Sequence, residues 1–139
     1  MHTVHAVQAA TPYLEKSKAA SIVIVSSVSG VQVDFTGGSY GAVKAALIHY
    51  SKALSNQLIG KGIRTNVVSP GNVYFDGGIW QQVEQGDPTF FAQMMAANPT
   101  GRMGTAQETA NGIVFLASPA ASRISGTNLI IDGALSTAV

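Results

Sequence analysis

Short apolar runs alternate along this chain with longer segments, several of them rich in alanine. The short runs are rich in β-branched residues and predict three strands, at about 22–26, 64–68 and 128–131. The longer segments predict three helices, at about 4–16, 39–58 and 106–117. Because strands and helices alternate, this order predicts an α/β fold with parallel strands and right-handed crossovers.

The start of the last predicted helix carries a local signal. Thr105 can cap this helix, and Glu108, three residues later, completes the pattern of a capping box. The end of the helix at 39–58 is equally clear, since Gly60 and Gly62 follow it and glycine commonly stands just past a helix end.

Residues 71–101 form the longest stretch without a predicted strand or helix. The pairs Gly77-Gly78, Asp87-Pro88 and Asn98-Pro99 break regular structure there, and loops of this length are usually lids or disordered. Aromatic and methionine side chains crowd the stretch: Tyr74, Phe75, Trp80, Phe90, Phe91, Met94 and Met95. Two interpretations stay open, an apolar lid over a hydrophobic substrate and a satellite core beneath the loop.

Tyr40 and Lys44 lie one turn apart near the start of the helix predicted at 39–58, so their side chains share a face. The interconversion of an alcohol and a ketone needs a group that gives a proton to the substrate oxygen or takes one from it. A phenol can do this when a nearby ammonium lowers the phenol pKa. The hydroxyl of Ser27, after the first strand, can hold the substrate oxygen. Alone, a Tyr-x-x-x-Lys pair is a weak signal, since most such pairs are a half-buried phenol and a solvated lysine.

Four further segments accompany this pair in order along the chain. They are the strand run 22–30, the Asn-x-x-x-Pro-Gly segment 63–71, the Gly-Arg-x-Gly segment 101–118 and the Asp-Gly ending of 124–133. Together with Ser27, Tyr40 and Lys44 they resemble the short-chain dehydrogenase/reductase family over essentially the whole chain. The family spacing selects Ser27 among the serines that follow the first strand. The resemblance implies a single partial domain over residues 1–139, the C-terminal part of a Rossmann-like doubly wound sheet with about three parallel strands and flanking helices.

The resemblance also implies roles for individual residues in an NAD(P)-dependent oxidoreductase that interconverts an alcohol and a ketone. Tyr40 would be the general acid/base, and Ser27 would orient the substrate oxygen. Lys44 would support Tyr40 and hold the ribose hydroxyls, so both residues would also contact the coenzyme. The nicotinamide would lie against Pro70, Gly71 and Val73. The substrate would be a small, apolar molecule bound beside the region 71–101.

Two family features do not occur in the sequence. One is the fingerprint Thr-Gly-x-x-x-Gly-x-Gly, which places a pyrophosphate at a helix N-terminus. The other is the catalytic asparagine, whose expected place falls just before Met1. We therefore expect NAD or NADP to be bound by a complete enzyme, with a preference that the sequence does not indicate. We expect this chain alone to bind neither coenzyme and to be inactive.

The alternative is a non-catalytic, truncated fragment that acts only as an oligomerisation or interaction module. In the family's sheet the strand at 22–26 has a neighbour on each side, and here one neighbour would be missing. A bare, apolar edge strand tends to pair with another chain. This reasoning predicts that the chain pairs through that edge or exchanges elements with a second copy.

Composition narrows the classes of partner. The net charge of +1 gives no electrostatic basis for binding nucleic acid or an anionic membrane. Charged residues make up 11%, against about 25% in typical proteins, so we expect other protein to cover part of the surface, as in a homo-oligomer. No signal peptide or membrane-spanning run is readable, and we expect a cytoplasmic protein. His2 and His5 lack further ligands nearby, so no metal site is expected.

Overall fold

The computed structural model describes residues 2–36 and 38–137. In that part of the chain the helices are α1 (His2–Leu14), α2 (Gly38–Leu58), α3 (Ile79–Gly86), α4 (Pro88–Ala96) and α5 (Ala106–Ala117). The strands are β1 (Ser21–Val25), β2 (Arg64–Pro70), β3 (Val73–Tyr74), β4 (Gly104–Thr105) and β5 (Asn128–Ile131). Every strand and helix predicted from the sequence is present, and the bounds of α5 and β5 agree with the prediction.

β1, β2 and β5 form a parallel sheet in which β2 is the central strand. Val25 lies opposite Val68 in the first pair, and Val67 lies opposite Asn128 in the second. A central parallel strand has both faces covered, which explains why β2 is buried from its first residue to the one before Pro70. The α/β fold with a parallel sheet is confirmed.

Helices cover both faces of this sheet. On one face α1 and α2 pack on the strands, and the buried members of this core are Val7, Ala20, Ile24, Leu54, Leu58, Ile63 and Val67. On the other face Leu116 of α5 packs with Val68 and Ala121. Burial of each large aliphatic side chain contributes about 1.5–3 kcal/mol, so these layers fix the strand ends relative to the helices. No helix within residues 2–36 and 38–137 is both long and apolar enough to cross a membrane.

Arg64 stands at the start of the central strand and is only 7% exposed. Its guanidinium donates to the carbonyl oxygens of Leu116, at 2.7 Å, and Ser118, at 3.1 Å, at the carboxyl end of α5. The last carbonyls of a helix lack intrahelical donors and carry partial negative charge, so a cation is favoured there. Arg64 therefore ties the central strand to α5.

The stretch 71–101, predicted to be one long connection, instead contains α3 and α4. The side chain of Asp87 accepts a hydrogen bond from the N–H of Phe90 at 3.0 Å, and Pro88 occupies the first turn of α4. Proline suits that position because its missing N–H would have no helical partner there. Asp87-Pro88, which the sequence indicated as a break in regular structure, therefore also begins α4.

The capping box predicted at the start of α5 is present. The Thr105 hydroxyl accepts from the N–H of Glu108 at 3.2 Å, and the N–H of Thr105 donates to the Glu108 carboxylate at 2.8 Å. Arg102 donates two further hydrogen bonds to this carboxylate, at 2.9 and 2.6 Å. The hydrogen bonds from Arg102, and then that from the Thr105 backbone, lower the pKa of Glu108 from 4.5 to about 2.

Glu108 is expected to stabilise the fold only while its carboxylate is ionised. Its pKa is lower in the folded than in the unfolded chain, so the stabilisation is complete above about pH 4.5 and is lost as the pH falls toward 2. We expect the wild type to have a larger free energy of unfolding than Glu108→Gln at neutral pH, and the difference to vanish near pH 2. Urea unfolding at a series of pH values measures this, and a difference independent of pH would contradict it.

Candidate functional site

The chain turns sharply after β1 through a short 3₁₀ helix, Val28–Gly30. Ser27 caps it, because its hydroxyl oxygen accepts from the N–H of Ser29 at 3.2 Å. The neighbouring Ser26 is engaged elsewhere, since its hydroxyl donates to the carbonyl oxygen of Lys44 on α2 at 2.8 Å. Ser27 is thus buried and held at the carboxyl end of β1.

The first turns of α2 lie directly against this loop, with no room for side chains at the contact. A Cβ at Gly41 would lie 2.6 Å from the carbonyl oxygen of Ser29. A Cβ at Gly30 would lie 2.8 Å from the carbonyl carbon of Lys44. Glycine permits such a close approach of two backbones. The contact brings the start of α2, with Tyr40, beside the loop that carries Ser27.

Tyr40 and Lys44 share one face of α2, as their spacing predicts. The Lys44 ammonium lies 5.5 Å from the centroid of the Tyr40 ring. The same ammonium donates to the carbonyl oxygen of Val25, at the end of β1, at 3.4 Å. This bond holds the cation between the strand end and the phenol, while Tyr40 itself stays 45% exposed.

A cavity of about 760 Å³ opens at the carboxyl ends of β1 and β2. Its walls include every site residue predicted from the sequence, namely Ser27, Tyr40, Lys44, Pro70, Gly71 and Val73. Open parallel sheets bind ligands outside the carboxyl ends of their strands, and the volume is in the range of small-molecule sites. The structure therefore brings the candidate catalytic residues and the candidate coenzyme contacts together.

Aromatic side chains from two separate segments build an apolar part of the wall. The ring of Phe35 meets Trp80 and Phe90 edge to face, with centroids 5.6 and 5.3 Å apart. Trp80 is buried in this cluster and also lines the cavity. Trp80 therefore belongs to a satellite core and also lines the cavity. The other interpretation, a lid over a hydrophobic substrate, stays a prediction.

A hydrogen bond between Tyr74 and Glu84 attaches α3 to β3. The phenol of Tyr74 donates to the carboxylate at 2.5 Å. This hydrogen bond raises the pKa of Tyr74, which keeps the phenol protonated as the donor. The attachment holds α3, and with it Trp80, at the cavity.

Asp34 lines the same cavity, although the sequence did not indicate it as a site residue. Ser29 donates its hydroxyl proton to one carboxylate oxygen of Asp34 at 2.5 Å, and Thr36 donates its N–H to the other at 2.9 Å. Partial burial raises the pKa of Asp34, but the hydrogen bonds from Ser29 and Thr36 outweigh it and leave the pKa below its ordinary value. A single aspartate in a loop is typical of a solvated turn, so the sequence holds only a weak signal that Asp34 belongs to the site.

The chain matches known proteins over nearly its whole length. A family model described as enoyl-(acyl carrier protein) reductase matches residues 2–136. A solved oxidoreductase of the short-chain dehydrogenase/reductase family from Burkholderia thailandensis is 34% identical, with a TM-score of 0.85 over 96% of this chain and 51% of that one. This chain belongs to the short-chain dehydrogenase/reductase family. The resemblance identified from the sequence motifs is therefore confirmed.

Other members of the short-chain dehydrogenase/reductase family match as extensively. Isoepoxydon dehydrogenase of Penicillium expansum is 43% identical over 136 residues, which are 97% of this chain and 52% of that protein. The 3-oxoacyl-[acyl-carrier-protein] reductase FabG of Escherichia coli is 36% identical over 120 residues, 86% of this chain and 47% of FabG. An NADPH-bound short-chain oxidoreductase of Pseudomonas aeruginosa is 29% identical, with a TM-score of 0.89 over 98% of this chain and 53% of that one. The chain spans about half the length of the curated relatives it matches.

Proposed function

We propose that this chain is the catalytic half of a short-chain dehydrogenase/reductase that interconverts a small, apolar alcohol and its ketone with NAD or NADP. The observation that carries the proposal is the convergence of Ser27, Tyr40 and Lys44 on one cavity with aromatic side chains in its wall. The relatives support an oxidoreductase, since they include a dehydrogenase, a reductase and an NADPH-bound enzyme. The aromatic wall at Phe35 and Trp80 supports an apolar substrate.

In the proposed mechanism NAD or NADP, held against Pro70, Gly71 and Val73, would supply the hydride chemistry at the substrate carbon. Tyr40 gives a proton to the ketone oxygen in one direction and takes it from the alcohol in the other. Lys44, with its ammonium 5.5 Å from the ring centroid, places a positive charge beside the phenol that exchanges this proton. Ser27 hydrogen-bonds the substrate oxygen and holds it toward Tyr40.

The cavity suits the nicotinamide end of the coenzyme. Pro70 and Val73 provide an apolar surface for the flat ring, and Lys44 provides a donor for the ribose hydroxyls. Gly71 packs so tightly that a Cβ would lie 2.6 Å from the side chain of Asp132, so this wall of the cavity is tightly fixed.

The sequence contains no glycine-rich pyrophosphate fingerprint. In the proposed enzyme the pyrophosphate is held by another part of the protein, and this chain alone binds no coenzyme.

Coenzyme binding and turnover test this proposal. In a fluorescence titration we expect the chain alone to show no saturable binding of NADH or NADPH in the millimolar range or tighter. A fusion that places the first half of Escherichia coli FabG before this chain is expected to reduce cyclohexanone and similar apolar ketones with NADH or NADPH. A folded fusion that binds coenzyme but converts none of a panel of apolar ketones and alcohols would contradict the catalytic role.

An interaction role is the second candidate, and the edge of β1 favours it. Among the described strands, β1 pairs with β2 alone. The N–H of Ser26 donates to the carbonyl of Val68 at 2.8 Å. The backbone of Ser26 therefore faces β2. Backbone groups of successive strand residues point in alternate directions, so the N–H and carbonyl of Val23, three residues earlier, point away from β2. An apolar strand with such outward backbone groups is a template for pairing with another chain.

If β1 mediates self-association, the wild-type chain is expected to be a dimer and Val23→Pro a monomer. Proline removes the outward N–H at position 23 and leaves the β1–β2 hydrogen bonds in place. Val23 also packs against the core layer around Leu116, so Val23→Ala is the matched control that loses packing but keeps the N–H. Light scattering after size exclusion gives the masses. A dimeric Val23→Pro, or a monomeric wild type, would contradict pairing through β1.

A further inference from the structure

Two charged side chains line the cavity, and they are held at separate places in its wall. Among the described lining residues, Lys44 is the one cation and Asp34 the one anion. The Lys44 ammonium donates to the carbonyl oxygen of Val25, whereas the Asp34 carboxylate accepts from Ser29 and Thr36. Asp34 and Lys44 form no salt bridge in the part of the chain that the structure describes. Because the two charges balance and either ligand charge would meet a like charge, the cavity suits a neutral ligand.

The hydrogen bonds of the Asp34 carboxylate leave part of its acceptor capacity unused. Oδ1 accepts from the N–H of Thr36 at 2.9 Å and from its hydroxyl at 2.6 Å. Oδ2 accepts from the hydroxyl of Ser29 at 2.5 Å. Each carboxylate oxygen can accept about two hydrogen bonds, so one position on Oδ2 has no donor among the described residues. The pKa of Asp34 lies below its ordinary value, so this position is an acceptor at neutral pH.

Asp34 is held at the aromatic part of the cavity wall. It directly precedes Phe35, whose ring meets Trp80 with centroids 5.6 Å apart, and all three residues line the cavity. The hydrogen bonds from Ser29 and Thr36 fix the carboxylate before any ligand binds, so a ligand does not have to order it. A ligand that packs on the aromatic rings therefore meets a fixed acceptor at the same part of the wall.

We infer that Asp34 is a specificity-determining residue, which selects a neutral alcohol or ketone whose apolar body carries a second hydroxyl group. The reacting oxygen lies at Ser27 and Tyr40, as in the proposed mechanism. The apolar body packs on Phe35 and Trp80, and the second hydroxyl donates to Oδ2 of Asp34. The inference rests on the proposed function, because it takes the ligand of the cavity to be an alcohol or a ketone.

The ketones 4-hydroxycyclohexanone and 4-methoxycyclohexanone, titrated separately into the whole chain and followed by NMR chemical shifts, measure this selection. Both are neutral and carry an oxygen on the same carbon, but only the hydroxyketone has an O–H to donate. We expect the wild type to bind the hydroxyketone more tightly by about three- to tenfold, the value of one hydrogen bond. The ratio of the two Kd values is then compared between variants, so that the effect of the extra methyl group cancels.

Asp34→Asn is expected to replace the acceptor by a donor with almost no change of shape. The backbone N–H of Thr36 needs an acceptor, so the amide oxygen is expected to stay there and the amide NH₂ to take the place of Oδ2. This NH₂ can donate to a hydroxyl or a methoxy oxygen alike, so we expect the preference for the hydroxyketone to fall by about three- to tenfold. Asp76→Asn is the matched control and should keep the wild-type ratio, since Asp76 is not among the described residues that line the cavity.

Two charged analogues test the choice of a neutral substrate. They are 4-oxocyclohexanecarboxylate and 4-aminocyclohexanone, whose amine is protonated at neutral pH. Asp34 repels the first and Lys44 the second, so we expect both to bind the wild type more weakly than the hydroxyketone. Asp34→Asn is expected to strengthen binding of the carboxylate by about tenfold, because it removes the like charge. Tighter binding of either charged analogue than of the hydroxyketone would show that the substrate is not selected as a neutral molecule.

A wild type that does not prefer the hydroxyketone would overturn the inference, and so would a ratio that Asp34→Asn leaves unchanged. Lack of saturable binding of both neutral probes to the wild type would also overturn it. The wild-type measurements decide the inference even if Asp34→Asn does not fold. The proposed function is judged separately, by turnover of the FabG fusion, because binding of the probes to the chain requires no coenzyme.

Discussion

Replacing Tyr40 with phenylalanine is expected to slow ketone reduction by the FabG fusion by a factor of about 10²–10⁴, the usual contribution of a general acid. The substitution removes the phenolic oxygen and keeps the ring. Tyr40 lines the cavity and is 45% exposed, so the free energy of unfolding is expected to change little. Ser27 and Lys44 remain in place, but the Lys44 ammonium is engaged by the carbonyl oxygen of Val25 at 3.4 Å, so we expect it not to replace the lost proton donor.

Tyr50→Phe is the matched control for this experiment. Tyr50 lies on the same helix, packs against the core under the sheet, and is not among the described residues that line the cavity. It loses the same atom and is expected to keep full turnover. The kcat of both variants is measured at saturating ketone and coenzyme. A Tyr40→Phe enzyme that kept more than about a tenth of the wild-type kcat would contradict the assignment of the phenol as the acid.

The second large effect is expected at Gly41, where alanine should destabilise the fold by about 1–3 kcal/mol and reduce turnover at the same time. The added Cβ would lie 2.6 Å from the carbonyl oxygen of Ser29. Both partners belong to the backbone, so rotation of a side chain cannot relieve the contact. Relief requires α2 to move away from the loop after β1. That movement would separate Tyr40 from Ser27.

Gly86→Ala is the control for the effect of the added methyl group. Gly86 ends α3, and a Cβ there would meet nothing within 4 Å. Alanine is a better helix former than glycine, so this variant is expected to be as stable as the wild type or slightly more stable. Urea unfolding of both variants gives the comparison. If Gly41→Ala were as stable as Gly86→Ala, the close approach of α2 to the loop would be wrong.

Elements with strong local signals were predicted well from the sequence. The bounds of α5 agree with the prediction because the capping residues Thr105 and Glu108 act within a single turn. β1 was displaced by one residue, at 21–25 instead of 22–26, because the apolar run does not show where the pairing with β2 begins. These successes depend on interactions between residues that are close in sequence.

The stretch 71–101 shows why other elements were missed. Proline after aspartate is typical both of a break and of a helix start, and the sequence does not distinguish them. Trp80 on α3 is buried against Phe35, which precedes α2 in the chain. Such a contact joins segments far apart in sequence, so no periodic pattern within 71–101 indicates it.

The sequence by itself determined the family, the order of strands and helices, and the choice of Ser27, Tyr40 and Lys44 as candidates. It could do so because a strand end and one turn of a helix have nearly the same geometry wherever they occur. Only the tertiary structure decided that Arg64 binds carbonyl oxygens at the carboxyl end of α5, and that the Lys44 ammonium binds the carbonyl oxygen of Val25. These bonds join segments that lie far apart in the chain. Tertiary packing therefore brings the partners together, and their spacing in the sequence does not indicate it.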